Sequence, residues 1–281
     1  MRKQRALLVG INDYASINDL RGCINDVDNV RSLLKSEFGY TNENIRVLTD
    51  ARATRENISK RLEWLLDGIV PGDRLFLHFS GHGSQIRDRD GDELRDHMDE
   101  ILCLYDMTWD GGYITDDEIG AWLKKIPVGV TTEVIFDCCH SGAMEVDAPA
   151  DRVKQLAPPY DIKARADGEN LPTKRIAVGT FQSMAGSTTG EGDLQMTASV
   201  VVNPPKVSIW SGCGESQTSA DAYIGDNYNG AFTYYWCQNM RQGNVGRSAL
   251  LARVKNSLAG RYSQIPELTC NDLSALTGVL T

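Results

Sequence analysis

Short apolar runs that end in glycine or small polar residues constrain this chain more than any other feature. Residues 5–11 (RALLVGI), 74–80 (RLFLHFS) and 132–136 (TEVIF) are too uniformly apolar for strands with one wet face, and 44–48 adds a fourth, shorter run. Strands of that kind belong to a parallel sheet covered on both faces. Between them lie helical patterns. Residues 23–38 place Val27, Val30, Leu33 and Leu34 on one face, and residues 54–69 form a second helix closed by Pro71-Gly72. Strand and helix alternate, so the expected fold class is α/β, with a mostly parallel central sheet and helices on both faces.

The remainder is read less sharply. Residues 85–99 are crowded with charge and read as a loop, 100–105 as a short strand, and Asp110-Gly111-Gly112 as a turn. Thr115 and Glu118 have capping-box spacing, which opens a helix running to about residue 126. From 144 to about 173 the pattern dissolves into Ala, Pro and charge, which reads as an exposed linker. Strands at 175–179 and 206–211 and helices at 230–241 and 246–262 follow. The expected organisation is a larger part at 1–143, a linker at 144–174 and a smaller part at 175–281.

Charge and cysteine content exclude some roles. A formal net charge of −9 does not provide the basic face that phosphate binding requires, so no nucleic-acid partner is expected. No segment approaches the roughly 20 apolar residues of a membrane span, and the apolar stretch after the basic opening MRKQR is too short for a secretory signal. Seven cysteines, an odd number set mostly in apolar runs, suit reduced thiols in a cytoplasmic protein.

In parallel α/β sheets, chemistry gathers beyond the carboxyl ends of the strands. His82 stands just past residues 74–80, between two glycines, and Cys139 just past residues 132–136. A thiol at such a turn needs a nearby base to become a nucleophile. Backbone N–H groups around Ser141-Gly142 are expected to receive an oxyanion. The 57 positions between His82 and Cys139 approach the caspase-like spacing of about 50. The plain alternative is a turn histidine and a buried, inert cysteine.

The segments HFSGHGSQ and IFDCCHSG resemble the His and Cys boxes of metacaspases, in the caspase–haemoglobinase clan. The likeness extends to ALLVGINDY, LRGCINDV, MDEILCLYD, YITDDEI and WSGCGESQTSADA followed by GAFTYYW. The compact opening is similar to bacterial-type members, the orthocaspases.

The resemblance implies a cysteine endopeptidase with His82 as base and acid and Cys139, not Cys138, as nucleophile. It implies an acidic pocket of Asp26 and Asp137, with Cys23 and Ser80 nearby, that takes Arg or Lys before the scissile bond. Asp26 alone could be a first-turn helix acid and Asp137 a strand-end cap. The resemblance also implies calcium on Asp99, Asp116, Asp117 and Asp147 and no organic cofactor, although Asp116 and Asp117 also suit a helix first turn. Cleavage in the linker is expected at Arg152, Lys154, Lys163, Arg165, Lys174 or Arg175, by the enzyme itself or an upstream protease. A monomer is expected. The alternatives are a restrained caspase-fold regulator or scaffold, or another Arg/Lys-specific peptidase of the clan.

Overall fold

The structure is a computed structural model, and it describes residues 2–87, 98–139, 153–158, 205–214, 217–243 and 245–280. In chain order its strands are β1 (Gln4–Gly10), β2 (Ile45–Thr49), β3 (Arg74–Ser80), β4 (Gly83–Arg87), β5 (Met98–Thr108), β6 (Gly111–Thr115), β7 (Thr131–Asp137), β8 (Lys206–Ser211), β9 (Asp221–Ile224), β10 (Asn227–Gly230) and β11 (Glu267–Cys270). Its helices are α1 (Cys23–Phe38), α2 (Arg55–Leu66), α3 (Asp116–Leu123), α4 (Ala231–Arg241), α5 (Arg247–Leu258) and α6 (Leu273–Thr277).

Six strands form the central sheet in the order β11-β8-β7-β3-β1-β2. All neighbours are parallel except β11, which runs antiparallel to β8. Side chains alternate across it, as strand geometry requires. Leu7, Leu75, Leu77, Val134 and Phe136 join one core cluster with Ile58 and Leu62 of α2 and Trp122 of α3. Leu8, Phe76 and Ile135 join the other with Val30 and Leu33 of α1, Trp236 of α4 and Leu250 of α5. Helices therefore cover both faces, as the uniformly apolar strands predict. The sheet also draws strands from both sides of the expected linker.

Register sets up the site. Gly10 pairs with Ser80, and Ser80 pairs with Asp137, so β1, β3 and β7 end on one level. Whatever follows those ends shares one rim.

Two differences from the sequence reading concern the polar middle. Of the loop expected at 85–99, residues 85–87 belong to β4 and 98–99 to β5; the strand expected at 100–105 is present but longer, as the eleven-residue β5, and β4, β5 and β6 build an antiparallel sheet. Its strands mix charged residues with apolar ones that face the core, such as Ile86, Met98 and Ile101, which masks the period. The helix expected to reach residue 126 stops at Leu123, although its capping box is present, with Thr115 and Glu118 each accepting from the other's backbone. The strand expected at 175–179 and the run 88–97 lie outside the described residues.

Candidate active site

β3 ends in Ser80, and the chain must turn sharply to enter β4 at Gly83. Gly81 permits this because a Cβ there would sit 2.7 Å from Tyr14 Oη and 2.9 Å from the Phe79 ring. His82 follows, almost wholly buried. Its backbone N–H donates to Tyr14 Oη at 2.8 Å, and the two rings are 5.1 Å apart. Its Nε2 meets the Asn18 carbonyl at 2.8 Å. A carbonyl only accepts, so Nε2 carries the proton and Nδ1 keeps a lone pair. Among the described residues, Nδ1 has no hydrogen-bond partner. Burial lowers the His82 pKa to about 4, against the opposing effect of the Asn18 hydrogen bond, so the ring is neutral at pH 7.

Cys138 and Cys139 follow β7 and differ in direction. Cys138 packs into the larger core cluster. Cys139 is buried with its Sγ against Ser219, accepting from the Ser219 N–H and lying 3.8 Å from the Ser219 carbonyl. Cys213, beyond the end of β8, donates its thiol to the Cys138 carbonyl at 3.5 Å.

The expected linker was read as exposed, and over 153–156 the structure overturns that. Lys154 is fully buried. Its Nζ lies 2.8 Å from Asp26 Oδ2, 2.8 Å from Ser80 Oγ and 3.2 Å from Asp137 Oδ2. Its carbonyl accepts from the N–H groups of Gly83 at 3.1 Å and Cys139 at 3.2 Å. Its own N–H donates to the Ser219 carbonyl at 3.1 Å. Val153 bridges antiparallel to Ala220, and Gln155 parallel to Gly83, so the segment lies extended in a cleft between two backbone edges. An ammonium enters this interior because two carboxylates await it; unpaired, the burial would cost several kcal/mol.

The expected pocket residues thus converge on one cation. Asp26, in the first turn of α1, also accepts from Ser80 Oγ at 2.7 Å and from the Gly230 N–H at 2.8 Å. Asp137 accepts from Ser219 Oγ and from both the N–H (3.0 Å) and the hydroxyl (2.7 Å) of Thr233. Burial lifts the Asp26 carboxyl above its ordinary pKa in spite of Lys154. For Asp137 burial acts the same way, yet Lys154 and the Ser219 and Thr233 hydrogen bonds hold it below the ordinary value. The two carboxylates in turn hold the Lys154 ammonium well above its own, against burial. Cys23, buried on the neighbouring turn, carries a thiol raised chiefly by burial and lowered in part by Lys154.

Asp99, Asp116 and Asp117 offer carboxylate oxygens that all lie within 4.8 Å of one another, beside β5 and at the start of α3. Asp116 and Asp117 also stand in the acidic first turn of α3, where the helix dipole favours them. A hard cation takes several oxygen ligands of this kind, so the set fits one. Asp147, Arg152, Lys163, Arg165, Lys174 and Arg175, with Ser141-Gly142, lie outside the described residues.

Sequence reasoning missed several contributors. The N–H groups on the Lys154 carbonyl belong to Gly83 and Cys139, and the Asn18 contact is a backbone carbonyl; neither leaves a trace in residue type. Ser219 and Thr233 had a signal, because they sit in the QTSADA and GAFTYYW segments. Gly230 closes the pocket, since a Cβ there would overlap Asp137 Oδ2, Lys154 Nζ and Asp26 Oδ2.

Residues 4–149 match the family model "Metacaspase, peptidase C14 domain". The chain is 36% identical to Metacaspase-1 of Pyricularia oryzae over 96% of its own length and 72% of that protein. It is likewise 36% identical to Metacaspase-1A of Aspergillus fumigatus, over 96% of its length and 69% of the relative. Among solved structures, protein GSU0716 from Geobacter sulfurreducens superposes with a TM-score of 0.67 at 23% identity, over 98% of this chain and 97% of the other. Caspase-1 from Spodoptera frugiperda gives a TM-score of 0.56 at 13% identity, over 95% and 86%. The caspase fold is thus shared, and the chain belongs to the metacaspase family of cysteine endopeptidases.

Proposed function

We propose that this endopeptidase cleaves after Lys or Arg with a Cys139–His82 dyad, and that residues 153–158 occupy its cleft as a substrate does. The observation that carries the reading is Lys154: ammonium between Asp26 and Asp137, carbonyl on the N–H groups of Gly83 and Cys139. A guanidinium suits the same two carboxylates through charge-assisted hydrogen bonds.

The roles follow from the site's chemistry. His82 is neutral, with its free Nδ1 lone pair available to take the Cys139 thiol proton. The thiolate attacks the carbonyl carbon, and the Gly83 and Cys139 N–H groups receive the charge that develops on oxygen. His82 returns the proton to the departing amine, leaving a thioester that water hydrolyses with His82 as base. Asn18 holds the ring's tautomer through its carbonyl.

In this reading the seated segment restrains the enzyme until it is cut or leaves, and the Lys154–Gln155 bond is the processing site. Asp99, Asp116 and Asp117 would hold calcium, which would neutralise three converging carboxylates and tie β5 to α3. All seven cysteines are free thiols, which suits a reducing compartment. Among the described residues no helix is long and apolar enough to cross a membrane.

Turnover of fluorogenic peptides ending in Arg, Lys or Asp, with calcium and with chelator, tests this. Hydrolysis of the Arg and Lys peptides alone, abolished in Cys139→Ala, is expected. Turnover of the Asp peptide, or none of any peptide in either condition, contradicts it.

A further inference from the structure

Beyond the scissile bond the seated segment makes contacts that the Lys154 pocket does not explain. Leu156 donates its N–H to the Gly83 carbonyl at 2.9 Å, and its carbonyl accepts from Ser84 Oγ at 2.5 Å. Gly83 and Ser84 open β4, so the segment adds to that strand in parallel pairing. Ser84 is almost fully buried, and its hydroxyl donates to the Leu156 carbonyl. The Leu156 side chain packs against the larger core cluster, which includes Ile86 of β4. Gln155, between Lys154 and Leu156, gains little: its amide nitrogen is buried with no partner among the described residues.

We propose that Gly83 and Ser84 form a recognition subsite for the second residue after the scissile bond, selecting extended protein segments with an apolar side chain there. The inference rests on reading residues 153–158 as a substrate seat. Strand addition explains why: backbone pairing supplies affinity and the side-chain niche supplies choice. Gly83 does two jobs in one cleft, its N–H on the carbonyl before the scissile bond and its C=O on the amide two residues later. A leucine-type residue locked here holds the scissile carbonyl in register with Cys139. Substrates are then expected to read Lys or Arg, any residue, then Leu, Ile or Met.

Two measurements test this, the first without turnover. In full-length Cys139→Ala protein, Lys154 is buried and shielded from trypsin, and mass spectrometry follows cleavage of the Lys154–Gln155 bond. Leu156→Asp is expected to speed that cleavage at least about tenfold, as Asp26→Asn does by loosening the pocket. No acceleration by Leu156→Asp where Asp26→Asn accelerates overturns the subsite alone; no acceleration by either overturns the seating beneath it. The second uses calcium-treated wild-type protein and quenched peptides of the form Lys-Gln-Leu. Replacing the leucine by aspartate, or by N-methyl-leucine, which has no N–H for Gly83, is expected to lower kcat/KM about tenfold or more. Equal rates overturn the subsite, and rates that persist when Ala replaces Lys overturn the underlying specificity.

Discussion

Strand β7 carries two buried carboxylates four residues apart, and each is neutralised by a basic residue from later in the chain. Glu133, near the start of the strand, meets Arg247 Nε at 2.8 Å and accepts from Trp210 Nε1 at 2.9 Å. Arg247 sits on α5; its Nη2 also donates to Glu133, and its Nη1 reaches the carbonyls of Ala275, Gly278 and Val279. Asp137, at the strand's end, meets Lys154, which belongs to no helix or named strand. The first pair uses a planar, five-donor cation to tie helix, strand and C-terminal segment together. The second uses a point charge on a stretch held by four backbone hydrogen bonds. Both are buried ion pairs, but only Arg247 is anchored in a helix that packs on the sheet. Under the proposed function, the same physics serves a permanent lock at one end of β7 and an exchangeable occupant at the other.

The largest expected effect is on the chemistry at the Lys154 end of β7. Removing the proposed nucleophile with Cys139→Ala is expected to lower turnover of a Lys peptide by at least about 10⁴-fold, the order seen when a catalytic nucleophile is lost, while far-ultraviolet circular dichroism stays unchanged. Second in size, Gly230→Ala pushes a methyl group between Asp26, Asp137 and the incoming ammonium. Its backbone, at φ −63° and ψ 122°, suits alanine, so the strain falls on the pocket's side chains, and circular dichroism checks that the fold is kept. A fall of about 100-fold in kcat/KM for Lys peptides is expected, roughly the effect of losing one well-placed polar contact; wild-type rates would mean that the pocket lies elsewhere.

Third, Arg247→Ala strands Glu133 in the core and should cost about 3–5 kcal/mol in urea unfolding, the range for a broken buried pair. Lys154→Ala should cost clearly less than about 3 kcal/mol, because the segment can leave and water can reach Asp26 and Asp137. Equal costs would mean that the two pairs are alike. The smallest effect is on pH dependence. Burial depresses His82 to about 4 and His78 to about 3, against 6.5 for the free side chain. Between those values the unfolded chain binds protons that the folded one refuses, so stability is complete above pH 6.5 and declines as pH falls toward 4 and 3. Urea midpoints from pH 7.5 to 4 report it, and a flat profile would argue against neutral, buried rings.

Much of this was legible beforehand because local pattern and global fold agree in the parallel sheet. Leu7 and Leu8, Phe76 and Leu77, Val134 and Ile135 each divide between the two core faces, which is why their runs read as continuously apolar. Asp26 and Asp137 were legible as a pair through the family resemblance, but local pattern alone would not join them, since α1 and β7 meet only through the sheet's order. β5 was nearly missed because Asp99 and Glu100 are charged yet buried, and no periodicity announces a charge that tertiary structure encloses. The seat of Lys154 was hidden for the opposite reason. Its surroundings in sequence are polar and Pro-rich, and the contacts that order it come from Gly83, Cys139 and Ser219, which are distant in sequence.

The most direct test of the seated lysine is the identity of the terminus the enzyme creates in its own chain. Wild type and Cys139→Ala are incubated with calcium, and new N-termini are read by mass spectrometry. A fragment beginning at Gln155 in wild type, absent from Cys139→Ala and lost in Lys154→Ala, is predicted. Cleavage that never exposes Gln155, or a Gln155 terminus that appears equally in Cys139→Ala, would contradict it.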